Sequence, residues 1–176
     1  MENNNNSLWH VHSLKNHNQQ KEELLNSIDD FSKNNFIVDK GQSIFNTDWN
    51  IPENVPRKYF ELFWTKNHSE IENIYQKLYE NFTIKNLYVH NWWFQQYVKG
   101  SYHQWHTHDR CNFSNVYYLE LPNNESATEF YVNGKNITIE AKEGDLVVFP
   151  AHLPHRSINN FPDRKTVIVF NTSIEI

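Results

Sequence analysis

The hydrophobic positions change rhythm about halfway along the chain. In QQKEELLNSIDDFSK, Leu24, Leu25, Ile28 and Phe31 recur at the three- and four-residue spacing of one helix face. In SEIENIYQKLYENF, Ile71, Ile74, Tyr75, Leu78, Tyr79 and Phe82 do the same, with Ser69 as candidate N-cap. Before it, NVPRKYFELFW predicts another helix start with Pro56 near its first turn, after a looser stretch from about residue 33 to residue 55. Past residue 85 the runs shorten and fill with Val, Ile, Thr, Tyr, Phe and Trp: KNLYVHNWWFQQYV, NFSNVYYLELP, ATEFYV, NITIEA, DLVVFP and KTVIVFNTSIEI. Segments such as KGS, PNNES, NGK, KEG and NNFPD separate them, and Asn133-Gly134 predicts a type I′ hairpin. Helices precede strands with no β-α-β alternation. The expectation is an α+β chain, a single domain over 1–176, with helical support over about 8–84 and an antiparallel sandwich or barrel over about 85–176. Residues 1–7 are polar and expected to fray.

Composition narrows the class without naming a chemistry. The 176 residues suit one domain, and six Trp, nine Tyr and twelve Phe predict a core built from rings. A net charge of −5 with no basic cluster gives no sign of a nucleic-acid or membrane surface. Cys111 is the only cysteine, so no internal disulfide forms, which suits a reducing compartment. The first residues lack the pattern of a secretory signal, and no apolar run approaches the roughly 20 residues of a membrane span. A cytoplasmic protein is expected, and Asn-x-Ser/Thr triplets such as those at Asn67, Asn81, Asn112, Asn124 and Asn136 are read as products of the high asparagine content.

Chemistry concentrates in SYHQWHTHDR. His106 and His108, two apart, present both imidazoles to one face of a strand, whereas His103 is out of phase with them. A metal needs a third ligand, and GDLVVFPAHLPHRS offers His152 and His155 just after a buried strand. Three protein ligands with open positions suit non-haem iron or a similar divalent ion. The pair His10 and His12 repeats the spacing with no partner in sight.

KGSYHQWHTHDRCNFSNVYYLELP followed by EGDLVVFPAHLPHRSINNFPDRKTVIVFN resembles the iron- and 2-oxoglutarate-dependent oxygenases, in particular their prolyl-hydroxylase-like branch and small bacterial and phage relatives. The resemblance covers roughly residues 88–172 and implies a double-stranded β-helix, or jelly roll, supported by leading helices. It implies Fe(II) on His106, His108 and His155, and 2-oxoglutarate held by Arg164, nine residues past His155, with Thr166 and Tyr118 beside it. Arg164 and Thr166 share strand parity, and a guanidinium fork suits a carboxylate. Tyr117, of opposite parity to Tyr118, is expected outward or under a helix. The family's usual second ligand is Asp, where this chain has His108. Asp109 is the alternative ligand if a bulge turns it inward. His152 is expected outside the shell, and Trp92, Trp93 and Trp105 mostly in the core.

Cupins are a rival: Gly100-x5-His106-x-His108, Gly144-x5-Pro150 and His155-x3-Asn159 follow their spacings, although Asn112 and Phe113 stand where a cupin has its glutamate. A three-histidine dioxygenase, an isomerase or a non-catalytic binding or structural module would then be implied. The leading expectation is a dioxygenase that hydroxylates a small molecule or a peptide or protein. Neither the substrate nor the oligomeric state is legible.

Overall fold

The computed structural model describes residues 8–35, 44–52 and 54–176; the expected fraying of residues 1–7 lies outside them. Their order is β1 (His10–Ser13), α1 (His17–Asn35), β2 (Asn46–Thr47), α2 (Lys58–Leu78), β3 (Asn86–Tyr97), β4 (Tyr102–His106), β5 (Phe113–Glu120), β6 (Thr128–Val132), β7 (Lys135–Thr138), β8 (Asp145–Pro150), β9 (His155–Ile158) and β10 (Lys165–Glu175). The strands form two antiparallel sheets, six-stranded in the order β1-β8-β5-β10-β3-β2 and four-stranded in the order β4-β9-β6-β7. The mixed α+β class follows. No helix among the described residues is long and apolar enough to cross a membrane.

The two helix starts expected around Pro56 and Ser69 belong to one helix. α2 runs unbroken from Lys58 to Leu78 and carries Phe60, Phe63, Ile71, Ile74 and Tyr75 on its buried side. Ser69 caps nothing, because the chain is already helical there: its hydroxyl meets His68 Nε2 at 3.2 Å. The preceding Asn67 is buried, donating to Phe63 O at 2.7 Å and to Gln20 Oε1 of α1 at 2.8 Å. Strands also begin earlier than expected, since β1 pairs with β8 and β2 with β3. Asn133 and Gly134 both hold positive φ (51° and 78°), as a type I′ hairpin requires.

The large sheet separates two cores, and alternation along its strands sorts side chains between them. Tyr117, Leu119, Leu146, Val148, Ile168 and Phe170 meet the helices. Val116, Tyr118, Val147, Phe149, Val167 and Val169 face the small sheet. Between β2 and α2 the chain is anchored by buried Asp48, which accepts from Arg57 Nε (2.7 Å), Tyr59 Oη (2.6 Å) and Phe94 N (2.8 Å). That anchor holds the neighbouring Trp49 against Trp93, with ring centroids 4.2 Å apart.

The turn before β8 joins the layers. Gly144 donates to Tyr118 O at 2.8 Å and accepts from Leu14 N at 3.1 Å. Its φ is +90°, and a Cβ there would lie 2.8 Å from His17 Cγ, a ring held by Tyr117 Oη. Gly144→Ala is therefore expected to cost about 1–3 kcal/mol, read as a lower urea midpoint at unchanged slope.

Candidate metal centre

His106 closes β4 and His155 opens β9, and the two residues are direct cross-strand partners. Partners in a ladder project to the same side, so their rings meet at a centroid distance of 4.1 Å. His108 lies past the end of β4, not on the regular strand expected. Its backbone N–H donates to Ala151 O at 2.8 Å, fastening the loop beside the start of β9. The His108 ring then lies 5.3 Å from that of His106 and 5.1 Å from that of His155, and stacks on Trp93 at 5.6 Å. One ligand nitrogen from each of His106, His108 and His155 lies within 4.8 Å of the other two.

Hydrogen bonds set which nitrogen is free. His106 Nδ1 lies 2.7 Å from Gln104 O, His155 Nδ1 2.9 Å from Leu153 O, and His108 Nδ1 2.8 Å from Asn171 Oδ1. Carbonyl oxygens only accept, so each Nδ1 carries the proton and each Nε2 keeps its lone pair. This is the tautomer that metal-ligating imidazoles need, already held by outer hydrogen bonds.

Burial keeps the cluster uncharged. It pushes His155 down to about 2 and His108 down to about 4, each lowered further by His106, and lowers His106 itself. Three neutral imidazoles facing one another make an unfavourable place for protons and a favourable one for a divalent cation.

A fourth histidine belongs to the same place. The pairing of β4 with β9 slips between His103 and His106, so the strand holds an irregularity that reverses its phase. His103, expected on the opposite face, is instead buried and stacked on His106 at 3.8 Å, and it lines the cavity shared by the other three. The irregularity lies upstream, between His103 and His106, and not downstream where it would bring Asp109 inward. Asp109 remains exposed, 3.9 Å from Arg110, so this alternative ligand does not join the cluster. His152 is exposed in the turn after β8.

Arg164 and Thr166 are likewise placed away from the cavity. Arg164 pairs with Glu120 through Nε (2.8 Å) and Nη2 (3.2 Å) and with Asp29 of α1 through Nη1 (3.1 Å). Thr166 donates its hydroxyl to the same Glu120. They do share parity, but it is the parity of Ile168 and Phe170, facing the helices. The inward residue is Lys165. Fully buried, it donates to Ser157 Oγ at 2.5 Å and Ile158 O at 3.2 Å, and lies 4.5 Å from the centre of the Tyr97 ring. Burial pushes its pKa down to about 7. Among the described residues only Arg57, engaged by Asp48, is a second buried lysine or arginine. Lys165 and Asn171 escaped sequence reasoning, although a spacing of nine or ten residues after His155 admits Lys165.

Tyr118 faces the inner core, its hydroxyl donating to Thr128 Oγ1 (2.8 Å) and accepting from Thr128 N (3.0 Å), while Tyr117 turns to His17 and Gln20 of α1. Trp92 stacks on Phe60 beneath α2, and Trp105 lies partly exposed under the Arg156 guanidinium. The cavity behind the histidines measures about 20 Å³, space for a water or a bare ion, with Ser157 and Thr128 in its wall. A larger ligand must displace lining side chains.

No protein-family model matches the chain, and no curated protein matches it in sequence. Solved structures match its fold. A prolyl-4-hydroxylase from Pseudomonas putida aligns over 97% of this chain and 95% of its own, at 14% identity and a TM-score of 0.66. A viral collagen prolyl hydroxylase from Paramecium bursaria Chlorella virus-1, in complex with 2-oxoglutarate, covers 97% and 98%, at 13% identity and 0.62. A Trichoplax adhaerens prolyl hydroxylase bound to a hypoxia-inducible-factor peptide fragment covers 95% and 84%, at 14% identity and 0.67. Helices and both sheets are thus shared with prolyl hydroxylases.

The neutral histidines make stability depend on pH. His103, His108 and His155 are held near 3, 4 and 2, against about 6.5 in an unfolded chain, so unfolding takes up protons below pH 6.5. Their contribution is present above pH 6.5 and is lost as the pH falls from there through 4 towards 2. The urea midpoint of the metal-free protein is expected to drop steadily across that window, with a shallower slope in His155→Phe.

Proposed function

We propose that the chain is an iron(II)- and 2-oxoglutarate-dependent oxygenase that hydroxylates its substrate, built as a double-stranded β-helix with helical support. One observation carries the reading: three histidines, each with its proton held on Nδ1 and its Nε2 free, converge between the sheets of a fold shared with prolyl hydroxylases. Their chemistry fits the group, since imidazole nitrogen with open positions suits a divalent iron. His106, His108 and His155 hold the ion, and Asn171 orients His108. When bound, iron and 2-oxoglutarate supply, with dioxygen, the oxidation of a substrate C–H bond.

The chain's part is binding and exclusion. Lys165 takes the carboxylate role that the resemblance implied for Arg164. It stands ten residues past His155, on the inward face, and bonds Ser157 of the cavity wall. A carboxylate arriving there meets a buried ammonium with no water to screen it. Tyr97 and Tyr118 bound the same core and limit the length of the diacid. The sheets close over the reacting end and keep bulk water away. Substrate, which we take to be a peptide or protein side chain, approaches along the groove of about 250 Å³ lined by Trp49, Ile51, Asn91, Trp92 and Trp93, whose tryptophans 49 and 93 also flank His108.

Anaerobic titration with Fe(II) and then 2-oxoglutarate tests this, with the weak visible charge-transfer band of the chelate as readout. His155→Ala is expected to abolish metal binding. Lys165→Met is expected to keep the metal and lose about ten- to a hundredfold in 2-oxoglutarate affinity, whereas Arg164→Ala stays within about threefold. Metal binding without any band in the wild type would leave a metal site of the cupin kind.

The low pKa of Lys165 gives a separate signature. Binding a carboxylate favours the charged lysine, so 2-oxoglutarate binding takes up a proton above pH 7. Affinity should be level below about pH 7 and fall as pH rises past it, with calorimetric proton uptake that Lys165→Met removes.

A further inference from the structure

His103 is not needed as a ligand, yet the fold buries it beside the cluster and controls its protonation differently. The Tyr97 hydroxyl donates to Gln95 Oε1 at 2.7 Å, which leaves the Gln95 amide nitrogen facing His103 Nδ1 at 3.2 Å. An amide N–H donates, so His103 Nδ1 must accept and its proton sits on Nε2. This is the reverse of His106, His108 and His155. A protonated Nε2 cannot ligate, and His103 is not among the residues whose ligand atoms lie within 4.8 Å of one another. The polar atom that His103 offers to the cavity it lines is therefore a donor. Among the described residues that Nε2 meets no hydrogen-bond partner.

The charge of the site says what such a donor is for. Three neutral imidazoles leave a divalent ion with its full double charge, and Asp109, the nearest acid in sequence, is turned out to solvent. Besides the four histidines, the cavity is lined by Trp93, Gln95, Thr128, Arg156, Ser157 and valines, with no carboxylate among them. Trp93 Nε1, on another residue of the cavity wall, is a buried donor without a partner. The lining supplies donors but no anion, and its one cation, Arg156, is already paired with Glu129 at 2.5 Å. We propose that His103 Nε2–H is a ligand-gripping donor of this site, binding an oxygen of the anionic carboxylate that completes the metal's coordination. This rests on the oxygenase reading above and adds to it a residue that selects for an oxo-acid chelate, where an aspartate ligand would otherwise have balanced the charge.

The test uses the full chain loaded anaerobically with Mn(II), followed by calorimetric titration of 2-oxoglutarate and, separately, oxalate. His103→Phe keeps the ring stacked on His106 and removes the donor. It is expected to bind Mn(II) within about threefold of wild type and to weaken both acids about ten- to a hundredfold. His106→Ala, by contrast, should lose Mn(II) altogether. Gln95→Met, which frees His103 to change tautomer, should weaken both acids by a smaller factor with Mn(II) affinity intact, and it carries the test if His103→Phe fails to fold. Loss of Mn(II) in His103→Phe comparable to His106→Ala would make His103 a fourth ligand and overturn the proposal. Unchanged affinity for both acids would reduce it to packing and overturn it too. Failure of wild type to bind Mn(II), or either acid once loaded, would overturn the oxygenase reading itself, an outcome visible before any variant is made.

Discussion

β10 is the strand on which both halves of the molecule depend, because it is buried on two faces at once. Lying between β5 and β3 at the centre of the large sheet, it gives Ile168 and Phe170 to the helices and Val167 and Val169 to the small sheet. Each fully buried aliphatic or aromatic side chain of this kind contributes roughly 1.5–3 kcal/mol, so neither face can be turned away from its core. That fixes the phase of everything else on the strand. Lys165 and Asn171 must point between the sheets, and Arg164 and Thr166 must point at α1. A one-residue slip would exchange these sets and bury the wrong cation.

The same two-sided burial explains what the sequence hid. VIVF is apolar at every position, so it predicts a strand but carries no alternation from which to read direction. Arg164 or Lys165 is then a choice of phase that composition cannot make; only the layer on each side makes it. His103 was hidden by a different cause. HxxH on a regular strand puts its ends on opposite faces, and the irregular pairing between His103 and His106 undoes that rule. What was legible was local: the histidine pair, the His155 that follows DLVVFP, the Asn-Gly hairpin, the opposed directions of Tyr117 and Tyr118. Ser69 misled because a good capping residue is also tolerated inside a long helix when tertiary contacts, here Asn67 to Gln20, hold the turn.

In the cluster, main-chain carbonyls set two of the three tautomers. Two of the three outer acceptors are main-chain carbonyls two residues upstream, Gln104 O for His106 and Leu153 O for His155. Only His108, which sits past the strand end where no such carbonyl is offered, needs a side chain, and Asn171 of β10 provides it. The histidine in the least regular backbone is thus the one tied to the most constrained strand.

Sorting of charge across β10 follows from these constraints. On the helix side, Arg164 meets Glu120 and Asp29, a compensated network near the surface that adds little stability and asks for no ligand. On the inner side, Lys165 is wholly buried, and burial drives its pKa towards neutrality. A buried ammonium close to losing its proton, on the same side of the strand as a cluster of neutral imidazoles, gains its charged form only where an anion reaches it. The strand that separates the cores therefore also separates a half-exposed ion-pair network from a wholly buried ammonium.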